Sequence, residues 1–265
     1  TGFTGRRAMG LGAIRLADME DYIRIVMALL HDETVEAEFE GKRRKIRFLN
    51  PDLGLINTRD PIRLHVSAYG PKGRALTAKL GAGWLNFFND VAGGIAGLEG
   101  MRASWREAGR DPEDLSATAF MCGCVLAEGE AYDSPRAMAQ AGPRAAVLLH
   151  RAADEALAGL PNSSAVPPAV ADAVAGYVAL ARRFEPADAA YLENHRGHLM
   201  FVKPEERPFV TADMIRETTF TATEPVLKQR IESLRSAGYT QFTIQIVPGQ
   251  EQAIDDWARI RRAFA

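Results

Sequence analysis

The residues best suited to chemistry form a short turn between a predicted strand and a predicted helix. The strand over 62–68 runs into Ser67-Ala68-Tyr69-Gly70-Pro71, and a helix over 72–80 follows. A tight turn that opens a helix leaves backbone N–H groups without partners, all pointing one way. Such groups suit a phosphate. The residues alone leave two interpretations open, a phosphate-binding turn or an ordinary connection between strand and helix.

Three histidines are further candidates for contact with a substrate. His65 shares the polar face of its strand with Ser67, because strand side chains alternate. It would either be held among buried side chains or contact a ligand. His195 and His198, in H-R-G-H, would share one helix face, and both substrate contact and a surface position are open. No third ligand with metal-site spacing accompanies them, so no metal site is predicted.

The cysteines and the early arginines give weaker signals. Cys122 and Cys124 lie in an apolar run and are expected to be reduced core residues, which is typical of a cytoplasmic protein. Arg6 and Arg7 follow a glycine-containing loop, and one of them would either reach a phosphate or an acidic substrate or face solvent. The opening Thr1-Gly2-Phe3-Thr4-Gly5 has the chemistry of a loop that follows a strand. We therefore expect that earlier strands are missing from this sequence.

The composition predicts a globular protein and excludes several partners. A chain of 265 residues that is 47% hydrophobic can bury a large core in one or two domains. A net charge of −2 gives no electrostatic reason to expect nucleic acid or a membrane surface as partner. No apolar run approaches the roughly 18 residues of a membrane helix, and the first residues lack the apolar core of a signal peptide.

The periodicity of apolar residues predicts strands that alternate with helices. The predicted elements are a helix over 16–31, a hairpin over 35–48, strands over 62–68, 84–88, 117–127 and 241–247, and helices over 72–80, 91–109, 169–184, 189–202 and 224–237. A further helix begins at Ser134 and is interrupted at Gly142-Pro143, and a last one presents Ile254, Trp257, Ile260 and Phe264. The hairpin is predicted to turn at Gly41-Lys42, with Glu40 facing Arg43, Glu38 facing Lys45 and Glu36 facing Arg47. Strands joined by helices pair in parallel, as in a barrel or a doubly wound sheet.

Three segments together resemble the bacterial luciferase-like superfamily of flavin- and deazaflavin-dependent oxidoreductases: TGFTGR, PIRLHVSAYGPKGRALTAKLGAGW and EPVLKQRIESLRSAGYTQFTI. The family pattern has a strand that ends in Thr-Gly, an Ala-Ala-x-Gly-Pro turn, an Ala-Asp-Gly-Trp strand start and a late helix that ends in Ala-Gly. Two departures stand out. Gly81-Ala82-Gly83 replaces Ala-Asp-Gly, and Phe3-Thr4 stand where some deazaflavin-dependent members carry a glutamate.

The resemblance implies a TIM-like (β/α)8 barrel in a single domain, 1–265, here an incomplete barrel. It would contain strands five to eight and a helical insertion over about 134–202. A cofactor, FMN or the deazaflavin coenzyme F420, would lie at the carboxyl ends of the strands. By this resemblance, Thr1 and Gly2 would lie beside the cofactor ring or its ribityl chain. The residues at the phosphate end of the cofactor would be Ser67, Ala68, Tyr69, Gly70 and Pro71. No catalytic residue can be carried over, because the family's first strands are absent.

The activity implied by the resemblance is that of a flavin-dependent monooxygenase. It would oxygenate a small organic substrate with reduced FMN and oxygen, with a separate flavin reductase as partner and a homodimer as assembly. The alternative is hydride transfer with a reduced deazaflavin and without oxygen. An alternative of another class is a non-catalytic fragment or a binding paralogue. The residues do not identify the substrate.

Overall fold

A computed structural model of the chain describes residues 4–161 and 166–264. In that part of the chain the strands are β1 (Val35–Phe39), β2 (Lys42–Ile46), β3 (His65–Ser67), β4 (Gly83–Asn86), β5 (Ala117–Cys122), β6 (Val125–Leu126), β7 (Ala222–Thr223) and β8 (Gln241–Gln245). The α-helices are α1 (Thr4–Arg7), α2 (Leu16–Leu30), α3 (Pro71–Lys79), α4 (Val91–Glu107), α5 (Pro135–Leu157), α6 (Ala171–Ala181), α7 (Ala190–Asn194), α8 (Ala212–Thr218), α9 (Glu224–Ala237) and α10 (Ala253–Arg262). None of the helices described is long and apolar enough to cross a membrane.

The centre of the fold is a parallel sheet with the strand order β3-β4-β5-β8. Helices α3 and α4 connect its first three strands, and α9 precedes β8. The predicted α/β arrangement with parallel strands is therefore confirmed. Val66, Trp84 and Met121 belong to the main apolar core, and each is at most 4% exposed. Burial of such large apolar side chains contributes about 1.5–3 kcal/mol each.

The hairpin turns one residue earlier than predicted. Its turn residues are Glu40 and Gly41, whose φ angles are +52° and +70°. A two-residue turn with positive φ at both positions matches the twist of the flanking strands, and a glycine adopts it without strain. The three predicted charge pairs are therefore wrong. The residues that lie opposite each other across the two strands are Phe39 and Lys42, Glu38 and Arg43, and Glu36 and Lys45.

The run over 117–127, predicted as one strand, divides at Gly123 into β5 and β6. A Cβ atom on Gly123 would lie 2.2 Å from the carbonyl oxygen of Phe220. The backbone of another segment thus approaches at a position where only glycine fits. β6 leaves the main sheet and pairs with β7. Cys122 and Cys124 are buried and free, as predicted for core residues.

Helix α5 is continuous, so the predicted interruption at Gly142-Pro143 is wrong. It begins as predicted, because the Ser134 side chain accepts a hydrogen bond from the N–H of Ala137 at 3.1 Å. A proline inside a helix removes one hydrogen bond and costs about 3 kcal/mol. Ala141 and Ala145, on either side of Pro143, are fully buried in a second apolar cluster. This packing holds the helix together across the proline.

The helix predicted over 189–202 ends much earlier. Helix α7 stops at Asn194, and Gly197 and Leu199 have φ angles of +75° and +62°. These left-handed conformations interrupt an α-helix. His195 and His198 therefore lie on a tight loop after α7 rather than on one helix face.

The end of the chain follows the sequence pattern closely. Helix α9 starts directly after Thr223 and ends at Gly238, whose φ angle is +109°. The Thr223 side chain makes no capping hydrogen bond. Trp257 of α10 is buried as predicted, whereas Ile254 is 54% exposed and its predicted inward position is wrong.

Candidate cofactor-binding site

The carboxyl ends of β3, β4, β5 and β8 meet at one edge of the sheet, because these strands are parallel. Ligands of parallel sheets bind at this edge, where the connecting segments leave the strands. Here those segments are residues 67–71 after β3 and residues 87–90 after β4. Cys122 ends β5 and Gln245 ends β8, and these two residues face each other across the strands.

The turn over 67–71 has the form that the sequence predicts. Gly70 occupies the N-cap position of α3, and Pro71 is the first helical residue. The N–H of Arg74 donates to the carbonyl oxygen of Gly70 at 3.0 Å, and Pro71 has no N–H. The N–H groups of Lys72 and Gly73 are therefore the donors that the helix itself cannot pair. They lie at its positive end, where an anion is stabilised.

The side chains of this turn divide into a fixed inner part and a polar outer part. Ala68 is buried, and its carbonyl oxygen accepts a hydrogen bond from Nε1 of Trp84 at 2.8 Å. Ser67 Oγ donates to the Tyr69 hydroxyl at 3.3 Å, and the Tyr69 side chain is 57% exposed. The hydrogen bond from Trp84 thus fixes the backbone between Ser67 and Tyr69, whose hydroxyl groups lie at the edge of the sheet.

Arg144, from α5, carries positive charge to the same edge. It is 9% exposed, its Nη2 donates to Asn89 Oδ1 at 2.7 Å, and its guanidinium lies over the ring of Phe87. Among the described residues no carboxylate pairs with it, and its Nε is buried without a hydrogen-bond partner. Burial lowers the pKa of Arg144, while Cys122 and Tyr69 act in the opposite direction. A buried cation without a counter-charge is costly, so this position favours an anionic ligand.

Gln140 lies one turn before Arg144 and faces the same side of α5, because helix residues four apart are neighbours. It is 3% exposed, and neither polar atom of its amide has a hydrogen-bond partner among the described residues. An unpaired buried polar group costs about 1–3 kcal/mol. Gln140 and Arg144 together therefore present one helix face that suits a polar, anionic ligand.

His65 lies below this edge in a row of hydrogen-bonded side chains. Its Nδ1 is 3.4 Å from Thr118 Oγ1, which donates to Gln241 Oε1 at 3.0 Å. A Cβ atom on Gly83, the residue opposite His65, would lie 2.7 Å from the imidazole ring, so this glycine leaves room for it. The geometry matches a histidine held among neighbouring side chains, and its contact with a substrate stays a prediction.

His195 and His198 lie together with His150 of α5, with ring centroids 5.2–5.9 Å apart. His195 is 9% exposed, so the surface position considered for it is wrong. The loop that carries both residues touches the strand ends, because Gln245 Nε2 donates to the carbonyl oxygen of Leu199 at 3.1 Å. The loop that carries His195 and His198 therefore reaches the carboxyl end of β8. The contact of His195 and His198 with a substrate stays a prediction.

The predicted residues at the start of the chain give no further part of the site. Thr1 and Gly2 lie outside the described residues, and their contact with a cofactor stays a prediction. Arg6 and Arg7, considered for a phosphate or an acidic substrate, have protein partners instead. Arg6 Nε donates to the carbonyl oxygen of Gly12, and Arg7 Nη1 lies 3.7 Å from Asp154 Oδ2.

A cavity of about 690 Å³ lies elsewhere, between β6, the start of α9 and α10. The two arginines that line it, Arg136 and Arg259, are already paired with carboxylates. Those carboxylates belong to Glu130, Glu224 and Asp256, so the lining of this cavity offers no unpaired positive charge. It is less suited to a phosphate than the sheet edge.

Sequence reasoning did not identify Gln140, Arg144 or His150. A signal was nevertheless present, since all three lie in the Ala-rich segment that forms α5. Gln140 and His150 adjoin the fully buried Ala141 and Leu149, and Arg144 adjoins Ala145. A polar side chain within the apolar stripe of a helix is a candidate for function, because its burial needs a partner.

The family model for luciferase-like monooxygenases matches residues 13–241, which is most of the chain. The chain therefore belongs to this family, and the resemblance stated from the motifs is confirmed. No curated protein matches the sequence at a significant level.

Several solved structures are similar to the chain at low sequence identity. A riboflavin lyase with modified FMN and riboflavin is 14% identical with a TM-score of 0.50, over 99% of this chain and 62% of that one. A coenzyme F420-dependent tetrahydromethanopterin reductase from Methanopyrus kandleri is 17% identical with a TM-score of 0.49, over 89% and 60%. The FMN-bound oxygenating constituent of 3,6-diketocamphane monooxygenase from Pseudomonas putida is 12% identical with a TM-score of 0.45, over 94% and 61%. The chain thus spans about three fifths of the length of these structures.

Proposed function

We propose that this chain is the cofactor-binding part of an oxidoreductase that holds FMN at the carboxyl edge of its sheet. The observation that carries the proposal is the buried Arg144 guanidinium, which has no carboxylate partner in the described chain and keeps one unpaired nitrogen. Membership of the luciferase-like monooxygenase family supports the same class of activity. Because a monooxygenase consumes oxygen, membership of this family supports FMN and oxygen rather than hydride transfer from the deazaflavin F420.

The residues present fit a ligand that ends in a phosphate. The turn over 67–71 would hold the phosphate with the N–H groups of Lys72 and Gly73, and Arg144 would supply the counter-charge. The unpaired amide of Gln140 would bind a polar group of the same ligand. These groups would bind and orient the ligand. We propose none of them as a proton donor or acceptor in the reaction.

Bound FMN would supply the redox chemistry by which oxygen reacts with a small organic substrate. The chain itself provides an apolar wall beside Arg144, where the rings of Phe87 and Phe120 lie 5.4 Å apart. Such a wall excludes water from a reacting group. Burial raises the pKa of the nearby Cys122 thiol to about 11, so that thiol stays protonated and unreactive at neutral pH.

We also propose that the described strands form an incomplete barrel around this site. In the described chain β3 and β8 each pair on one side only within the main sheet, so both are edge strands. Exposed edges of a parallel sheet are normally covered. We place the four strands as strands five to eight of a TIM-like barrel in one domain, with residues of about 134–202 as its helical insertion. A homodimer and a separate flavin reductase belong to the same proposal.

Spectroscopic titration of the protein with FMN and with deazaflavin F420, in oxidised and reduced forms, tests this function. We expect saturable FMN binding and an absorbance change of reduced, bound FMN on mixing with oxygen. Binding of the deazaflavin alone would instead favour hydride transfer without oxygen. Binding of neither would contradict the proposal in favour of a non-catalytic fragment or a binding paralogue. Analytical ultracentrifugation of the same samples measures whether the protein is a dimer.

A further inference from the structure

We propose that His150, His195 and His198 form a binding site for a divalent transition-metal ion, and that Zn²⁺ is the ion that suits it best. One ring nitrogen from each histidine lies within 4.8 Å of those of the other two. The site is distinct from the turn over 67–71 and independent of the proposed redox activity. The sequence analysis predicts no metal site, because the third histidine, His150, lies far from His195 and His198 in the chain.

The spacing of the rings matches coordination to one ion. The His150 and His198 Nδ1 atoms are 3.0 Å apart, and the three ring centroids are 5.2, 5.3 and 5.9 Å apart. Zinc binds imidazole nitrogens at about 2.0–2.1 Å in a tetrahedral geometry, which places such nitrogens roughly 3.3 Å from one another. Adjustments of about an ångström or less would bring all three nitrogens to a shared ion.

Two carboxylates set the tautomers that metal binding requires. His150 Nε2 lies 2.6 Å from Glu206 Oε1, and His195 Nε2 lies 3.0 Å from Asp154 Oδ2. An ionised carboxylate only accepts, so each of these Nε2 atoms carries the proton. The Nδ1 atoms of His150 and His195 then carry free lone pairs. His150 Nδ1 faces His198 Nδ1 at 3.0 Å, and His195 Nδ1 is buried without a hydrogen-bond partner among the described residues. A carboxylate behind a ligating histidine is the usual arrangement in metal sites.

The carboxylates are themselves held in position. Glu206 is fully buried and accepts hydrogen bonds from the Tyr177 hydroxyl at 3.0 Å and from the Lys203 N–H at 3.0 Å. Lys203 Nζ lies 2.9 Å from Glu206 Oε1. Asp154 accepts a hydrogen bond from Asn194 Nδ2 at 2.8 Å. The rings of His150 and His195 are thus oriented by a polar network before any ion arrives, which lowers the cost of binding.

A hydrogen-bonded cluster without an ion explains the geometry less completely. His198 Nδ1 could donate to His150 Nδ1, which would satisfy that pair. The Nδ1 of His195 would still be buried without any hydrogen-bond partner among the described residues. A single ion bound to one nitrogen of each ring satisfies all three. Three neutral imidazoles with no thiolate form a donor set that suits Zn²⁺, copper, iron or nickel.

The location gives the ion a role in joining parts of the fold. His150 belongs to α5, whereas His195 and His198 belong to the loop after α7. The same loop accepts a hydrogen bond from Gln245 at the end of β8. A bound ion would therefore tie this loop to α5 beside the carboxyl edge of the sheet. Three protein ligands leave a fourth position for water or another ligand.

Metal content and metal affinity of the intact protein test the proposal directly. After treatment with a chelator and dialysis, the protein is titrated with Zn²⁺ in competition with a chromophoric chelator, and bound metal is measured by mass spectrometry. We expect one ion per chain, and Co²⁺ in its place should give the visible absorption bands of a tetrahedral site. A folded wild-type protein that takes up no stoichiometric Zn²⁺ would overturn the proposal.

Variants then assign the ligands. H198A, at the least buried of the three rings, should lower Zn²⁺ affinity at least 100-fold, and H31A, at an exposed histidine, should leave it unchanged. D154N and E206Q retain the ligands and should weaken binding about 10- to 100-fold. Circular dichroism of each variant checks that it is folded. Equal Zn²⁺ affinity of the wild type and folded H198A would contradict the assignment.

Discussion

The guanidinium carbon of Arg144 lies 4.3 Å from the centre of the Phe87 ring. This contact and the hydrogen bond to Asn89 Oδ1 stabilise the buried cation, yet neither neutralises it. A cation–π contact contributes about 0.5–2 kcal/mol, less than the cost of burying an unpaired charge. Arg144 is thus a buried cation with no carboxylate partner among the described residues. We therefore propose that it binds the anionic end of a ligand.

Replacing this cation should affect affinity and stability in opposite directions. Arg144→Leu should weaken FMN binding at least tenfold, because a hydrogen bond to a charged group contributes about 1.5–3 kcal/mol. The same variant should be as stable as the wild type or more stable without ligand, because an uncompensated buried charge is removed. Fluorescence titration with FMN and urea unfolding measure the two effects. The exposed Arg235→Leu is the matched control, and unchanged FMN affinity in Arg144→Leu would contradict the assignment.

Replacing Gly70 by aspartate tests whether the N-terminus of α3 binds a phosphate, because the new carboxylate would cap the helix and repel an anion. Gly70 has a φ angle of −83°, and a Cβ atom there would meet nothing within 4 Å, so the position accepts a side chain. Gly70→Asp should stabilise α3 by a few tenths of a kcal/mol or more, since Asp is a good N-cap and complements the helix dipole. It should also weaken FMN binding by charge repulsion.

Gly70→Asn provides the matched control for that experiment, because Asn caps the helix equally well and carries no charge. It should raise the thermal unfolding temperature without the loss of FMN affinity caused by Gly70→Asp. Equal FMN affinities for the Asp and Asn variants, measured at low ionic strength, would show that no phosphate lies at this helix N-terminus.

The buried histidines make stability depend on pH. Burial, together with His150 and His195, lowers the pKa of His198 to about 4, and burial lowers that of His150. Below pH 6.5 the unfolded chain binds protons at these positions that the native protein does not, so stability falls as pH decreases toward 4. Burial opposes ionisation of Glu206, but hydrogen bonds from His150 and Lys203 hold its pKa at about 2. Further stability is therefore lost between pH 4.5 and 2.

Urea unfolding at pH 7.5 and pH 5.0, with a chelator present, measures this dependence. His198 alone should account for a loss of about 1–2 kcal/mol between the two values. His198→Gln should reduce the difference by that amount, whereas the exposed His31→Gln should not change it. A wild-type protein that is equally stable at both pH values would show that these histidines are not buried as described.

Elements that depend on local signals could be predicted from the sequence. The end of α9 at Gly238 and the turn at Gly70-Pro71 follow from the conformational preferences of glycine and proline. The division of β5 from β6 could not be predicted, because Gly123 is approached by Phe220, which lies about a hundred residues later. The helix break predicted at Gly142-Pro143 is wrong for a similar reason. Packing of α5 in the second apolar cluster outweighs the local tendency of glycine and proline to interrupt a helix.

The candidate site was predictable only in its local part. The turn over 67–71 could be recognised because all its residues are contiguous. The position of Arg144 depends on the packing of α5 near the strand ends, and no spacing in the sequence relates it to Asn89 or Phe87. The histidine cluster likewise requires α5 and the loop after α7 to meet.

The close approach at Gly123 gives a prediction about stability alone. In Gly123→Ala the new methyl group would lie 2.2 Å from the carbonyl oxygen of Phe220. That backbone cannot easily move away, because the Phe220 N–H donates to the carbonyl oxygen of Cys122 at 2.9 Å. We expect a loss of about 1–3 kcal/mol or more in the free energy of unfolding. Gly12→Ala, at a position with nothing within 4 Å, should change it by less than about 0.5 kcal/mol. Equal urea midpoints for the two variants would mean that the segments around Gly123 and Phe220 are farther apart than described.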